Sequence, residues 1–64
     1  MSIKFKEQYA GIMPGSVGEV IEIKNKTFDD GKLVDALVII KMTATNSIIN
    51  LRLEDFKQKV KQEN

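Results

Sequence analysis

The sequence predicts a small, mainly β protein of four to five short antiparallel strands. Two runs carry this prediction, because every second residue of 33–42 is apolar and forms one wholly apolar face, and apolar residues recur with the same period in residues 47–53. A third stretch, residues 14–23, combines a Pro-Gly turn signal with a β-branched run that follows Gly18. We therefore expect a mostly β protein with a single core and a short helical turn near the C-terminus.

The N-terminal part is predicted to supply two of these strands. Residues 1–5 alternate and predict a first short strand, and the apolar residues 9–13 are interpreted as a second piece of it. The second strand is expected at about residues 18–24, where Gly18 indicates a bulge, a bend or a close backbone approach.

A loop is predicted at residues 25–32. Its Asp-Asp-Gly sequence at residues 29–31 is typical of a hairpin tip, because Asp side chains bond nearby backbone amides and Gly accepts positive φ. The neighbouring Phe28 is expected to fold back onto the core.

The longest apolar run predicts the central strand. One face of residues 33–42 is wholly apolar and must point into the core, whereas the other is mixed but carries Leu37 and Ile39. The predicted core consists of Val20, Ile23, Val34, Ala36, Val38, Ile40, Ile49, Leu51 and Phe56.

The C-terminal residues change from a period of two to helical spacing. Leu53, Phe56 and Val60 are three and four residues apart, which predicts a helical turn at residues 53–56 that could extend to Val60. Residues 1–60 are expected to form a single domain, and residues 61–64 a frayed tail.

Composition limits the classes of function. The 64 residues include no Cys and no His, so a disulfide is excluded and a zinc site would need carboxylates alone. The net charge of +1 predicts no strong attraction to nucleic acid or to an acidic membrane. Neither a membrane-spanning run nor the apolar segment of a signal peptide is found, so a cytoplasmic location without membrane contact is expected.

Enzyme chemistry is not expected. Ser2, Ser16 and Ser47 have no histidine to activate them, which leaves a serine-lysine pair as a minor alternative. Asp29, Asp30 and Asp35 fit a solvated hairpin better than a calcium loop, since the required spacing is not met. We therefore expect a non-enzymatic protein with no metal and no cofactor.

The pattern of strands resembles an SH3-like small β-barrel. The run Gly-Glu-Val-Ile-Glu-Ile at residues 18–23 is similar to the glycine-marked strand of KOW-type barrels. Residues 49–56 resemble the closing strand and turn of small SH3-like barrels such as the photosystem accessory subunit. The resemblance covers about residues 12–56 and implies a superfold rather than a family, so it does not fix function.

The ligand surfaces of these barrels do not carry over. Nucleic-acid-binding KOW-type barrels have basic residues around the glycine, where this chain has Glu19 and Glu22. Peptide-binding SH3 domains use a row of aromatic residues, often with Trp, whereas this chain has no Trp, one Tyr and three Phe.

Protein binding or self-association is the leading interpretation, with the chain acting as an accessory factor. Leu37, Ile39 and Ile48 are predicted to share the face opposite the core, where they would form an apolar patch for a homodimer or another protein. The alternative, that barrel curvature or the C-terminal turn covers these side chains, is equally consistent with the spacing.

Nucleic-acid binding is the alternative function. Lys24, Lys26, Lys41 and Arg52 would form a basic face if strand ends and loops converge, and Tyr9 or Phe28 would stack on a base. Acidic residues are interspersed almost one for one, which instead is typical of an ordinary soluble surface.

Overall fold

Five antiparallel strands and one helix make up the fold. In the computed structural model, which describes residues 1–63, these elements are β1 (Ser2–Phe5), β2 (Val17–Asp29), β3 (Lys32–Met42), β4 (Ile48–Arg52), α1 (Leu53–Lys59) and β5 (Val60–Glu63). The strands form one sheet in the order β4-β3-β2-β1-β5, which confirms the predicted mainly β fold. Its edge strands, β4 and β5, do not pair with each other within residues 1–63, and the sheet is not closed into a barrel.

The long hairpin of β2 and β3 turns at Asp30 and Gly31. Both residues have positive φ, 54° and 79°, which suits a tight hairpin turn that follows the twist of its strands. Asp29 and Lys32 pair on either side of it, so the predicted hairpin tip is confirmed. The predicted loop at residues 25–32 is wrong, because β2 continues to Asp29. Its polar residues lie where the strand is solvated, not where it has ended.

Gly18 lies at a close approach between β2 and β3, as its position before the apolar run predicts. A Cβ atom there would lie 2.9 Å from both Cγ2 of Ile40 and the backbone oxygen of Lys41. The β2–β3 register then shifts between Val20 and Glu22, which leaves Ile21 as the extra residue of a β-bulge.

Residues 9–13 do not extend the first strand. Tyr9 and Ile12 instead pair with each other in an isolated bridge. The Tyr9 ring lies against Phe5, with 6.3 Å between the ring centroids. The loop is tied to β1 as well, because the N–H of Gly15 donates to the backbone oxygen of Phe5 at 2.7 Å. The apolar residues here therefore cover the core rather than lengthen a strand.

The C-terminal part is more ordered than the sequence predicts. The predicted helical turn is confirmed as α1, which has acidic residues in its first turn and lysines in its last, as the helix dipole favours. Residues 61–63 are not a frayed tail, because they belong to β5, which pairs with β1 from Ser2↔Glu63 to Phe5↔Val60. Asn64, the last residue of the predicted tail, lies outside the described residues.

The buried residues of the main core cluster come from β1, β3, β4 and β5. Of the predicted core, Ala36, Val38, Ile40 and Leu51 are buried, Val20, Val34, Ile49 and Phe56 are half-buried, and Ile23 is exposed. The sequence prediction omitted Ile3, Phe5 and Val60, which are buried at the junction of β1 and β5. Pairing between the two ends of the chain thus supplies a large part of the core.

Candidate interaction surface

The β2–β3 hairpin extends past the strands that flank it, and we call residues 21–36 the arm. β1 pairs with β2 at Val17, Gly18 and Glu19, and β4 pairs with β3 at residues 37–41. Among residues 1–63, no strand pairs with the outer edge of either half of the arm. An open edge of this kind presents unpaired backbone N–H and C=O groups to any chain that approaches it.

The arm carries half of the exposed large apolar side chains among the described residues. Ile21 and Ile23 lie on the β2 half, and Phe28 and Leu33 are cross-strand partners next to the turn. Phe28 is 69% exposed, so its predicted place in the core is wrong. The reason is its position, since it lies beyond the reach of the flanking strands and faces only the equally exposed Leu33 across the hairpin.

An ion pair ties the arm to the end of β4. The Nε of Arg52 donates to Oδ2 of Asp29 at 2.7 Å, although the two residues are 23 positions apart. This hydrogen bond, aided by the charge of Asp29, raises the pKa of Arg52 above its ordinary value, against a smaller lowering by desolvation. The tip of the hairpin is thereby held toward α1.

Two open grooves lie beside the sheet. One, of about 430 Å³, separates the β3 half of the arm from α1 and is lined by both charged and apolar residues, among them Asp35, Leu53 and Lys57. The other, of about 420 Å³, is more apolar and lies between the loop at Met13 and the β3–β4 turn at Thr45. Both are partly open to solvent, and neither brings together groups that suggest a reaction.

The predicted apolar patch is not exposed. Leu37 and Ile39 retain only 6% and 8% of their accessible surface, and Ile48 alone of the three is exposed. The pairing explains this, because Leu37 lies between Lys24 and Arg52 and Ile39 lies between Glu22 and Asn50. The aliphatic stems of long polar side chains can cover apolar neighbours in this way. Burial, the outcome that the sequence left open as the alternative, is thus observed for Leu37 and Ile39 but not for Ile48.

The predicted basic residues come together only in part. Lys24 and Arg52 flank Leu37 on one face, but Arg52 is bound to Asp29. Lys41 lies opposite Glu19, and Lys26 lies on the arm with a φ of 49°. The arm as a whole has three lysines and four carboxylates, which are Lys24, Lys26, Lys32, Glu22, Asp29, Asp30 and Asp35. No continuous basic face results among the described residues.

No group of three or more Asp, Glu, His or Cys side chains within residues 1–63 is placed to hold a metal ion. Among the same residues, α1 is the one helix, and it is too short and too polar to cross a bilayer.

Sequence reasoning missed Ile21 and Ile23 as surface residues. Their alternation with Glu22 and Lys24 is the pattern of any half-buried strand, and Ile23 was accordingly assigned to the core. A period of two identifies the faces of a strand but does not indicate whether another strand lies beside it. No signal in the sequence marks where β1 stops pairing.

Comparisons of the chain with protein-family models, with curated proteins and with solved structures give no match.

Proposed function

We propose that this chain is a small non-enzymatic binding module, an accessory factor that contacts a protein partner through the outer edge of β2 in the arm. The observation that carries the proposal is that all of residues 21–26 are exposed, although they belong to a strand that is paired on its other side. A partner strand added at this edge would satisfy the open backbone groups and cover Ile21 and Ile23.

The architecture assumed in this proposal is an SH3-like small barrel that stays open between β4 and β5. Three features support it: a second strand that packs closely at Gly18, a helix between the last two strands, and a last strand that lies beside the first. The ligand surface differs from the familiar ones of that class, since the exposed apolar residues lie on the hairpin arm.

The absence of His and Cys from the sequence supports a non-enzymatic role. Activation of a serine would then fall to a lysine, and the lysines in the structure are exposed or half-buried rather than desolvated. A lysine base needs a depressed pKa, which burial commonly supplies.

Nucleic-acid binding is the second candidate, and Phe28 is the observation that favours it. Its ring is free to stack on a base, whereas Tyr9 packs against Phe5, and Lys26 and Lys32 are also exposed near the tip. The net charge of the arm nevertheless opposes binding of phosphates, because its four carboxylates outnumber its three lysines.

A titration separates the two candidates. Fluorescently labelled single-stranded and double-stranded DNA should bind weakly or not at all, at both low and moderate salt. Sub-micromolar affinity that falls steeply with salt would instead establish the phosphate contacts of a nucleic-acid-binding protein.

Site-specific photo-crosslinking tests the protein-binding proposal. A photoreactive residue at position 23, on the open edge of β2, should form protein adducts in cells that produce the chain. The matched control is position 62, because Gln62 is also exposed in a strand but lies on β5, which forms one edge of the sheet. Equal adduct yields at the two positions, or none at position 23, would contradict the proposal.

A further inference from the structure

We propose that the partner at the open edge of β2 is a second copy of this chain, added antiparallel with its two-fold axis at Ile23. This inference rests on the proposed function, since it identifies the occupant of the same edge. Its basis is the order of charges along the edge, together with two irregularities of the backbone that limit where another strand can pair.

The backbone of the edge is regular over a short stretch. The bulge at Ile21 bounds it on one side, and Lys26, with its left-handed φ of 49°, bounds it on the other. Residues 22–25 lie between these irregularities. An antiparallel pair of identical strands related by a two-fold axis must therefore be centred near Ile23 or Lys24 if its central pairs are to be regular.

The charges select between these centres. With the axis at Ile23, Glu22 of each copy lies directly opposite Lys24 of the other, and the two Ile23 side chains meet on the axis. With the axis at Lys24, the two Lys24 ammonium groups lie opposite each other, and Glu22 faces Lys26, where the left-handed backbone interrupts the regular edge. Opposite charges in directly facing positions stabilise a strand pair, and like charges destabilise it. The register centred on Ile23 is therefore favoured.

Glu22 and Lys24 are free to make these pairs. Both side chains are exposed, and neither belongs to any of the three ion pairs formed within residues 1–63. Pairing of the two copies would also cover Ile21 and Ile23 of each. The assembly is closed, because each copy uses its open β2 edge once and no such edge remains for a third copy.

Charge reversal provides the main test. Glu22→Lys and Lys24→Glu each place like charges opposite one another in the homodimer, so each variant alone should self-associate at least about tenfold more weakly than wild type, roughly 1.4 kcal/mol. An equimolar mixture of the two variants restores both opposite-charge pairs and should recover the wild-type affinity. Sedimentation velocity at tens of micromolar measures all four samples against the monomer mass of 7.2 kDa.

A single cysteine tests the register directly. The chain contains no Cys, so Ile23→Cys introduces the only thiol, and it lies on the proposed axis. Directly opposed residues of antiparallel strands have Cα atoms about 4.5–5.5 Å apart, which is within the range of a disulfide. Ile23→Cys should form a covalent dimer under mild oxidation. Ile48→Cys, also an exposed isoleucine in a strand but on β4, should form much less.

Several results would overturn the inference: a wild-type monomer throughout the concentration range, unchanged association of either charge variant, or no recovery in the mixture. Failure of this inference can be distinguished from failure of the proposed function. In the photo-crosslinking experiment, an adduct of position 23 with a different protein would keep the binding module and reject the second copy. Absence of every adduct there would reject both.

Discussion

The two strands of the long hairpin pair with each other, but their side chains differ in burial. Residues 36–40 of β3 are all buried, on both faces of the strand, whereas residues 21–26 of β2 are all exposed. Ile23 and Val38 show the contrast most directly, because they are cross-strand partners and so point to the same side of the sheet. Ile23 is 48% exposed and Val38 is 1% exposed.

Lateral position in the sheet accounts for this difference. Val38 has β2 on one side and Leu51 of β4 on the other, and it belongs to the main core cluster. Ile23 has β3 on one side and, among the described residues, no strand on the other. Hydrophobicity and facing direction are therefore insufficient to bury Ile23, whereas Leu51 is buried on the edge strand β4 because it packs within the main core cluster.

The strongest test of this comparison removes the same atoms from both strands. Ile40→Ala in β3 should destabilise the protein by about 2–5 kcal/mol, because it leaves a cavity at a fully buried site. Ile23→Ala in β2 removes the same side chain from an exposed site and should cost less than about 1 kcal/mol. Urea denaturation of both variants, at a protein concentration low enough to avoid association, provides the measurement.

Equal losses of stability in these two variants would contradict the role assigned to lateral position. They would indicate that Ile23 is covered in solution, either within the chain or by a partner. Repeating the denaturation over a range of protein concentrations distinguishes the two cases, because only coverage by a partner depends on concentration.

A smaller effect is expected where β2 still lies inside the sheet. Gly18→Ala places a methyl group 2.9 Å from the backbone oxygen of Lys41, so the strands must separate, and we expect a loss of about 1–3 kcal/mol. Gly11→Ala is the matched control, since its added Cβ would meet nothing within 4 Å. Thermal unfolding of both variants checks this prediction. If Gly18→Ala left the unfolding temperature unchanged, this would show that β2 is loosely held along its whole length.

The smallest effect is expected at the ion pair that holds the arm. Asp29→Asn should cost no more than about 1 kcal/mol, because both side chains are partly exposed and solvent weakens their attraction. Since the pKa of Arg52 is raised in the folded state, the contribution of its guanidinium is complete at neutral pH and is lost as the pH rises through that raised pKa, under strongly alkaline conditions. Amide hydrogen exchange at Lys32, which pairs with Asp29 at the end of the hairpin, should become faster in the variant while exchange at Val38 stays unchanged. Identical exchange at Lys32 would mean that the pair does not hold the tip.

The contrast between the two strands also shows what the sequence can predict. The alternation in residues 33–42 correctly locates β3 and its core-facing side, and Asp30-Gly31 correctly locates the turn. Both are local patterns, set by the pleat of a strand and by the few residues that accept positive φ. The same local rules cannot report which strands become neighbours.

The wrong predictions follow from that missing information. The mixed face of residues 33–42 predicts a surface patch at Leu37 and Ile39, yet β3 is paired with β2 on one side and β4 on the other at both residues, and both are buried. Ile23 was assigned to the core because its strand alternates, yet its outer edge is open. The candidate site therefore depends on strand order and strand length, which become visible only in the folded chain.

The pairing of β1 with β5 has a consequence for biosynthesis. Ser2 and Glu63 are cross-strand partners, although nearly the whole described chain separates them in sequence. Ile3 and Phe5 are synthesised before the other strands of the sheet, and the strand that completes their burial, Val60–Glu63, is the last of the described strands to be synthesised. Until then β1 lacks its second neighbour, whereas the β2–β3 hairpin can close as soon as its own residues emerge. Folding during translation should therefore begin at the hairpin and finish only when β5 is released. Until then β1 remains incompletely packed.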